Sequence, residues 1–386
     1  MLFVRKEQFA VLLALPHLHD VTSSYKSIAR TLLRKVPPMK TSLFINREDY
    51  VRQLVKLAAF TLLATPAFAQ TYTITDLGTL GANSNGSYSV AECINSSGQV
   101  AGESSAPSSQ MSDPAFLYSN GQLINIGTLG GESGQPRGIN TSGQIAGYST
   151  LATGSYRAFL YTGGQMINIG TLGADYSVAY ALNDSGQVVG NSAHLGGQDH
   201  AFLYSNSQMT DLGTLGGDTS NAYGINNLGV IAGYSYNSSG DFLGFIYQNG
   251  TMTPLGTLGG SWSIAYAIND QNQIAGQAYT RGNRAAHAFR LSDGQMVDLG
   301  SLGGSSSWGL AINNSGTVVG FATTRRNDYH AFISTNGGRM QDLNRLIPPN
   351  TGWVLGEATG INDVGQIAGW GTIRGQTHAF LLTPVQ

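Results

Sequence analysis

Four of the seven histidines, His200, His287, His330 and His378, each precede an Ala-Phe pair, and imidazoles repeated at one position suggest a ring of metal ligands. A metal needs three or four ligands converging within a few ångströms. Equivalent positions of a repeat point to different places around a ring, so a strand-edge hydrogen bond made once per repeat is the better expectation. Neither a metal nor another cofactor is expected. The segments Asn183-Asp-Ser-Gly186 and Asn269-Asp-Gln-Asn272 resemble calcium loops, but they lack alternating Asp ligands and a closing Glu. Turn chemistry accounts for them. Gly-Thr-Leu-Gly-Gly, or a close variant, occurs six times with no Gly-Lys-Ser/Thr after it. It reads as a passage between strands rather than a phosphate cradle. Among the carboxylates, Glu92 and Glu357 stand out as non-repeating residues near inner-strand positions. As a pair they admit glycosidase-like acid and base chemistry. Most other acids belong to the repeat, and no catalytic residue is assigned.

These residues are positioned by a repeat. An Ile/Leu-Asn pair recurs with Asn95, Asn140, Asn183, Asn226, Asn269, Asn313 and Asn362, seven copies at intervals of 43 to 49 residues. Three residues after each Asn stands a glycine, or Asn272 in one copy, which predicts a hairpin turn ending in a left-handed residue. Short strands such as Gly-Gln-Ile-Ala-Gly follow, each with a bend or close approach at its terminal glycine, then runs such as Ala-Phe-Leu-Tyr, then Met-Thr-Asp-Leu-Gly. Each unit thus offers four strands, the pattern of a propeller blade. The repeats open at residues 71 to 81 with a lone fourth strand and stop at 378 to 386 after a third. One blade is therefore split between these segments, and pairing them closes a ring and hides its edges. The expected fold is an all-β, seven-bladed β-propeller with four-stranded blades, the Asn-bearing strand innermost.

The repeats resemble the HAF-repeat family of bacterial extracellular proteins, named for the His-Ala-Phe seen at 200–202, 287–289, 330–332 and 378–380. The resemblance covers residues 71 to 386. It implies an extracellular repeat protein and carries over no catalytic residues. Pro114 and Arg157 replace the histidine in two copies and the copy bearing Gly244 before its Phe lacks it too, and Asn344-Arg-Leu-Ile-Pro-Pro349 replaces Gly-Thr-Leu-Gly-Gly before the last blade.

Residues 1 to 69 hold ten Lys/Arg and four Asp/Glu, whereas 70 to 386 hold ten Arg, eighteen Asp/Glu and no Lys. That acidic balance argues against nucleic-acid binding. Within 39–69, Arg52 and Lys56 precede a short apolar run and an Ala-Phe-Ala site, so a secretory signal peptide cleaved after Ala69 is expected. Residues 1–38 form a non-repeat extension and 70–386 the propeller, with no membrane span in the mature chain. All 52 glycines lie in that last part. Cys93, the only cysteine, occupies a position where other copies have Gly or Ala, and reads as a small core residue.

The connections before the Ala-Phe strands vary most, which is where repeat proteins carry recognition. The last three contain Arg281, Arg284, Arg325, Arg326 and Arg374, a basic arc for an anionic polymer. Tyr88, Tyr176 and Trp262, at equivalent approaches to the inner strand, offer stacking surfaces for sugar rings. The expected function is a secreted, monomeric, non-enzymatic binding or scaffold protein whose ligand is a carbohydrate, cell-surface polymer or protein. An extracellular glycoside hydrolase or lyase is the alternative, and a structural spacer in a cell-envelope assembly a third reading.

Overall fold

A computed structural model describes residues 70–82, 86–107 and 113–385. The N-terminal extension and the segment expected to be a signal peptide lie outside them. The 28 strands described group into seven antiparallel meanders of four, here called blades, with strands a to d from first to last. Blade 1 comprises Ser89–Ile94, Val100–Ser104, Ala115–Ser119 and Gln122–Gly127. Blades 2 to 5 span 130–168, 173–211, 216–254 and 259–298, and blade 6 spans 303–342. Blade 7 comprises Trp353–Ile361, Ile367–Ile373 and Gln376–Pro384, and its strand d is Tyr72–Asp76. Tyr72 lies opposite Pro384 and Asp76 opposite Phe380, so the split blade is completed as the repeat boundaries predict.

Each blade is held by the apolar side chains of its own strands and of its neighbour. The phenylalanine of strand c, Phe116, Phe159, Phe202, Phe245, Phe289, Phe332 or Phe380, is fully buried in every blade. A serine on strand a ties successive blades: Ser177, Ser220, Ser263 and Ser307 each accept a bond from the strand c backbone of the preceding blade. Across the seam, the Ala379 amide donates to Ser89 Oγ at 2.9 Å.

The repeated asparagines immediately follow strand a, which lies innermost as expected from the split blade. Each donates from Nδ2 to the main-chain oxygen of the next asparagine at 2.8–3.2 Å, and Asn362 to Asn95 completes the circle. Their Oδ1 atoms accept from amides inside their own turns, whose last residue has positive φ, +79° at Gly98 and +57° at Asn272. Five asparagines also donate to the glutamine four residues on, as Asn95 does to Gln99. In blade 4 that glutamine is Val230, and Asn226 turns instead to Asn272 Oδ1 of blade 5 at 2.8 Å. The residue that breaks the turn pattern thus supplies the missing partner.

In each blade the register between strands a and b slips by one residue, between Ala91 and Cys93 in blade 1 and at the matching place in the other six. The glycine of strand b makes this bulge possible. A Cβ on Gly102, Gly190 or Gly276 would fall far inside contact distance of the strand a carbonyl of Val90, Val178 or Ile264. The close approach expected at this glycine is present, but it sits mid-strand, with strand b running on past it.

Candidate functional site

A bulge leaves one residue without a partner and re-aims its side chain. Here the unpaired residue is Glu92, Arg137, Tyr180, Tyr223, Tyr266, Leu310 or Thr359, and all seven line one central cavity of about 370 Å³ together with Glu357. Everything around these positions repeats, but their chemistry does not. Charged groups come from blades 1, 2 and 7, aromatic ones from blades 3, 4 and 5. A second cavity of about 200 Å³ lies at the asparagine circle. Ile94, Ile139, Leu182, Ile225, Ile268 and Ile361 line both, forming an aliphatic collar between them.

On the charged side, Arg137 Nη1 donates to Glu92 Oε2 at 2.8 Å and Nη2 to Gln135 Oε1 at 3.2 Å, with the guanidinium 5.7 Å from the Tyr148 ring centre. Tyr148 also bonds Gln135 through its hydroxyl. Arg137 Nε is buried without a partner among the described residues. Burial pushes the Glu92 carboxyl up to about 7 despite Arg137, and the negative charge of Glu357 adds to the rise. Glu357 is likewise pushed up to about 7 by burial, against the opposing pull of Arg137 and a bond from Trp370. Glu103, behind them on strand b of blade 1, also reaches about 7 through burial and the charge of Glu92. Three carboxyls thus share one guanidinium.

On the aromatic side, Tyr180 and Tyr223 meet edge to face at 4.6 Å between ring centres, and Tyr223 and Tyr266 lie tilted to each other at 5.4 Å. Burial raises all three phenols, Tyr180 to about 12, so they stay neutral donors. The aromatic wall continues outward through Tyr234, 5.9 Å from Tyr223, to Phe242, which stacks on Trp262 at 5.1 Å.

Glu92 and Glu357, which the sequence marks as non-repeating carboxylates, are therefore brought to one cavity. The eight residues proposed for binding are not: none lines it. Tyr176 is bonded to Asp199 through its hydroxyl, Tyr88 is tied to Asp113, and Trp262 packs between Phe242 and Tyr279. Arg281 and Arg284 are exposed at a short 3-10 turn of blade 5, and Arg374 is exposed at a turn of blade 7. Arg325 and Arg326 line a groove at blade 6. Sequence reasoning passed over Arg137, Tyr180, Tyr223 and Tyr266, although the signal was legible: the third residue before each repeat Asn changes chemistry from copy to copy.

The histidines make the strand-edge bond expected of them. His200, His287, His330 and His378 pair through Nδ1 with Asp211, Asp298, Asp342 and Asp76 at 2.8–2.9 Å. The strand register puts Leu243, not Gly244, at the histidine position of blade 4, and where that position is Pro114, Arg157 or Leu243 the aspartate position holds Asn125, Asn168 or Pro254, so the pair is present or absent as a unit. Among the described residues no group of three or more His, Cys, Asp or Glu is placed to hold a metal ion. Asp184 and Asp270, of the two calcium-like segments, accept bonds from Thr141 and Asn227 of neighbouring blades. Cys93 is buried, its thiol pushed up by burial, as a small core residue. Asn95-Ser-Ser97 and Asn140-Thr-Ser142 match the Asn-X-Ser/Thr pattern of a glycosylation site, but both asparagines are buried in the asparagine circle.

No protein-family model and no curated protein matches the chain. Solved structures do. The β-propeller domain of the Trilobed protease from Pyrococcus furiosus, described as having an open velcro topology, aligns with a TM-score of 0.51 at 8% identity over 78% of this chain and 98% of that one. The fold is a β-propeller. TolB from Acinetobacter baumannii aligns at 0.41 and 15% identity over 66% of this propeller chain and 70% of that one. The BP39L lectin from Burkholderia pseudomallei aligns at 0.44 and 8% over 82% and 98%. At such identities the likeness concerns the fold alone. No helix among the described residues is long and apolar enough to cross a membrane.

Proposed function

We propose that the protein is an exported, non-enzymatic binding protein of the HAF-repeat type, and that it takes a hydroxyl-rich ligand the size of a sugar residue in the central cavity. One observation carries this reading: the bulged positions, alone in an otherwise repetitive inner layer, combine a tyrosine wall with an Arg–Glu pair. Aromatic rings take the apolar faces of sugars, while charged groups and phenols bond their hydroxyls. A glycan array probed with the purified protein, followed by calorimetric titration of the best hit, tests it. Tyr223→Ala and Arg137→Gln should each weaken that interaction by about tenfold or more, the cost of losing one buried contact. Unchanged affinity in both would overturn the assignment.

The alternative, a glycoside hydrolase or lyase, draws on the shared cavity of Glu92 and Glu357 and on carboxyl groups poised near 7. It requires product release from a polysaccharide panel that disappears in Glu92→Gln and Glu357→Gln. Retained binding with no turnover in the native protein favours the binder.

A further inference from the structure

Four of the ten arginines after residue 69 line one groove that shares no residue with the central cavity. Arg325 and Arg326, on the hairpin between strands b and c of blade 6, share a groove of about 1160 Å³ with Arg339 and Arg345. None of the four guanidiniums has an ion-pair or hydrogen-bond partner among the described residues, in a domain where acidic residues outnumber basic ones. Asp342, on the groove wall, is already engaged by His330 and by Asn344, which leaves Asp328 as the other acid there.

The groove is built where the repeat is broken. In place of the glycine-bearing passage, Leu343–Arg345 forms a 3-10 turn capped by Asp342, and buried Leu343, Leu346 and Ile347 anchor it. Arg345 is therefore presented by a packed segment rather than by a loose loop. On the opposite wall Gly303 leaves room for Arg325, since a Cβ at Gly303 would stand 2.7 Å from Arg325 Cγ.

We propose that this groove binds an acidic polysaccharide through its sulfate or carboxylate groups. Guanidinium forks match oxyanions bidentately, and four of them set along a groove suit a chain bearing charges at intervals better than a single small ion. The sequence-level arc is thereby regrouped: Arg325 and Arg326 belong to the site with Arg339 and Arg345, whereas Arg281 and Arg284 lie outside it.

Affinity electrophoresis of the full chain through gels containing dextran sulfate, polygalacturonate or neutral dextran tests this. Retardation by one or both acidic polymers, falling as salt rises and absent with dextran, is expected. Replacing Arg325, Arg326, Arg339 and Arg345 by Ser should weaken retardation by about tenfold or more, while R281S/R284S stays within about twofold of the native protein. A preserved melting temperature confirms that the quadruple variant is folded. Retardation by neither acidic polymer, equal loss in R281S/R284S, or binding to anionic lipid vesicles in preference to the polymers would overturn the proposal.

Discussion

At the scale of single residues, buried carboxyls make stability depend on pH in a direction opposite to that of ordinary ion pairs. Glu92, Glu103 and Glu357 ionise near 4.5 when unfolded and near 7 in the folded chain, so between those values the folded protein holds more protons. Their contribution is greatest below about 4.5 and falls as pH rises to 7. Asp298 works the other way: burial would raise it, but bonds from His287 and the Gly300 amide hold it below 3.8, and its contribution is lost only as pH falls beneath that value. The denaturant midpoint should therefore decline from pH 5 to pH 8, and Glu357→Gln should flatten that decline. A native profile flat across this range would contradict the burial argument. The pair Glu92 and Glu357 was legible in sequence because both interrupt a repeat. Their raised ionisation was not, because it depends on the few polar groups that the closed ring places around them.

At the scale of elements, the bulge and the asparagine circle turn a repeated strand into a platform for unlike side chains. The glycine of strand b is what permits the bulge, so Gly276→Ala would drive a methyl into the Ile264 carbonyl. A cost of about 2 kcal/mol or more is expected, as for other forced overpacking, with displacement of Tyr266 toward or away from the cavity. The circle offers a second test through its one irregular link. Asn272→Gly restores the ordinary turn residue but removes the partner of Asn226, and should destabilise by about 1 kcal/mol. Val230→Gln places at that position the glutamine found in five other blades and should recover much of the loss in the double variant. Additive effects in thermal unfolding would count against the compensation. The repeated asparagines were visible in sequence as turn residues. Their use of Nδ2 to bridge blades was not, since it joins residues 43 to 49 positions apart, or 267 across the seam.

At the scale of the whole molecule, the ring is closed by one strand. Tyr72–Asp76 completes blade 7 over a register from Pro384 to Phe380, while Thr359 Oγ1 and Asn362 Nδ2 bond the backbone of blade 1. Deleting residues 70 to 80 should expose the edge of Gln376–Pro384, open the buried cluster that contains Tyr72, and cause aggregation or a large fall in melting temperature. A truncated protein that stayed monomeric and equally stable would mean that strand pairing at the seam is dispensable.

The sequence by itself determined the blade: seven copies, four strands in each, the turn chemistry, the split closure and a strand-edge bond from the repeated histidines all follow from local pattern and period. All but the closure depend on contacts within or between consecutive units, which a repeat writes out in full, and the closure is legible because the strand missing from the last unit stands before the first. The tertiary structure decided the site. Which single residue of each inner strand faces the centre depends on a bulge set by one glycine, and which arginines share a groove depends on how a non-repeating segment packs beside its neighbours. Convergence in a ring joins residues from every blade at once, and no one-dimensional spacing encodes that.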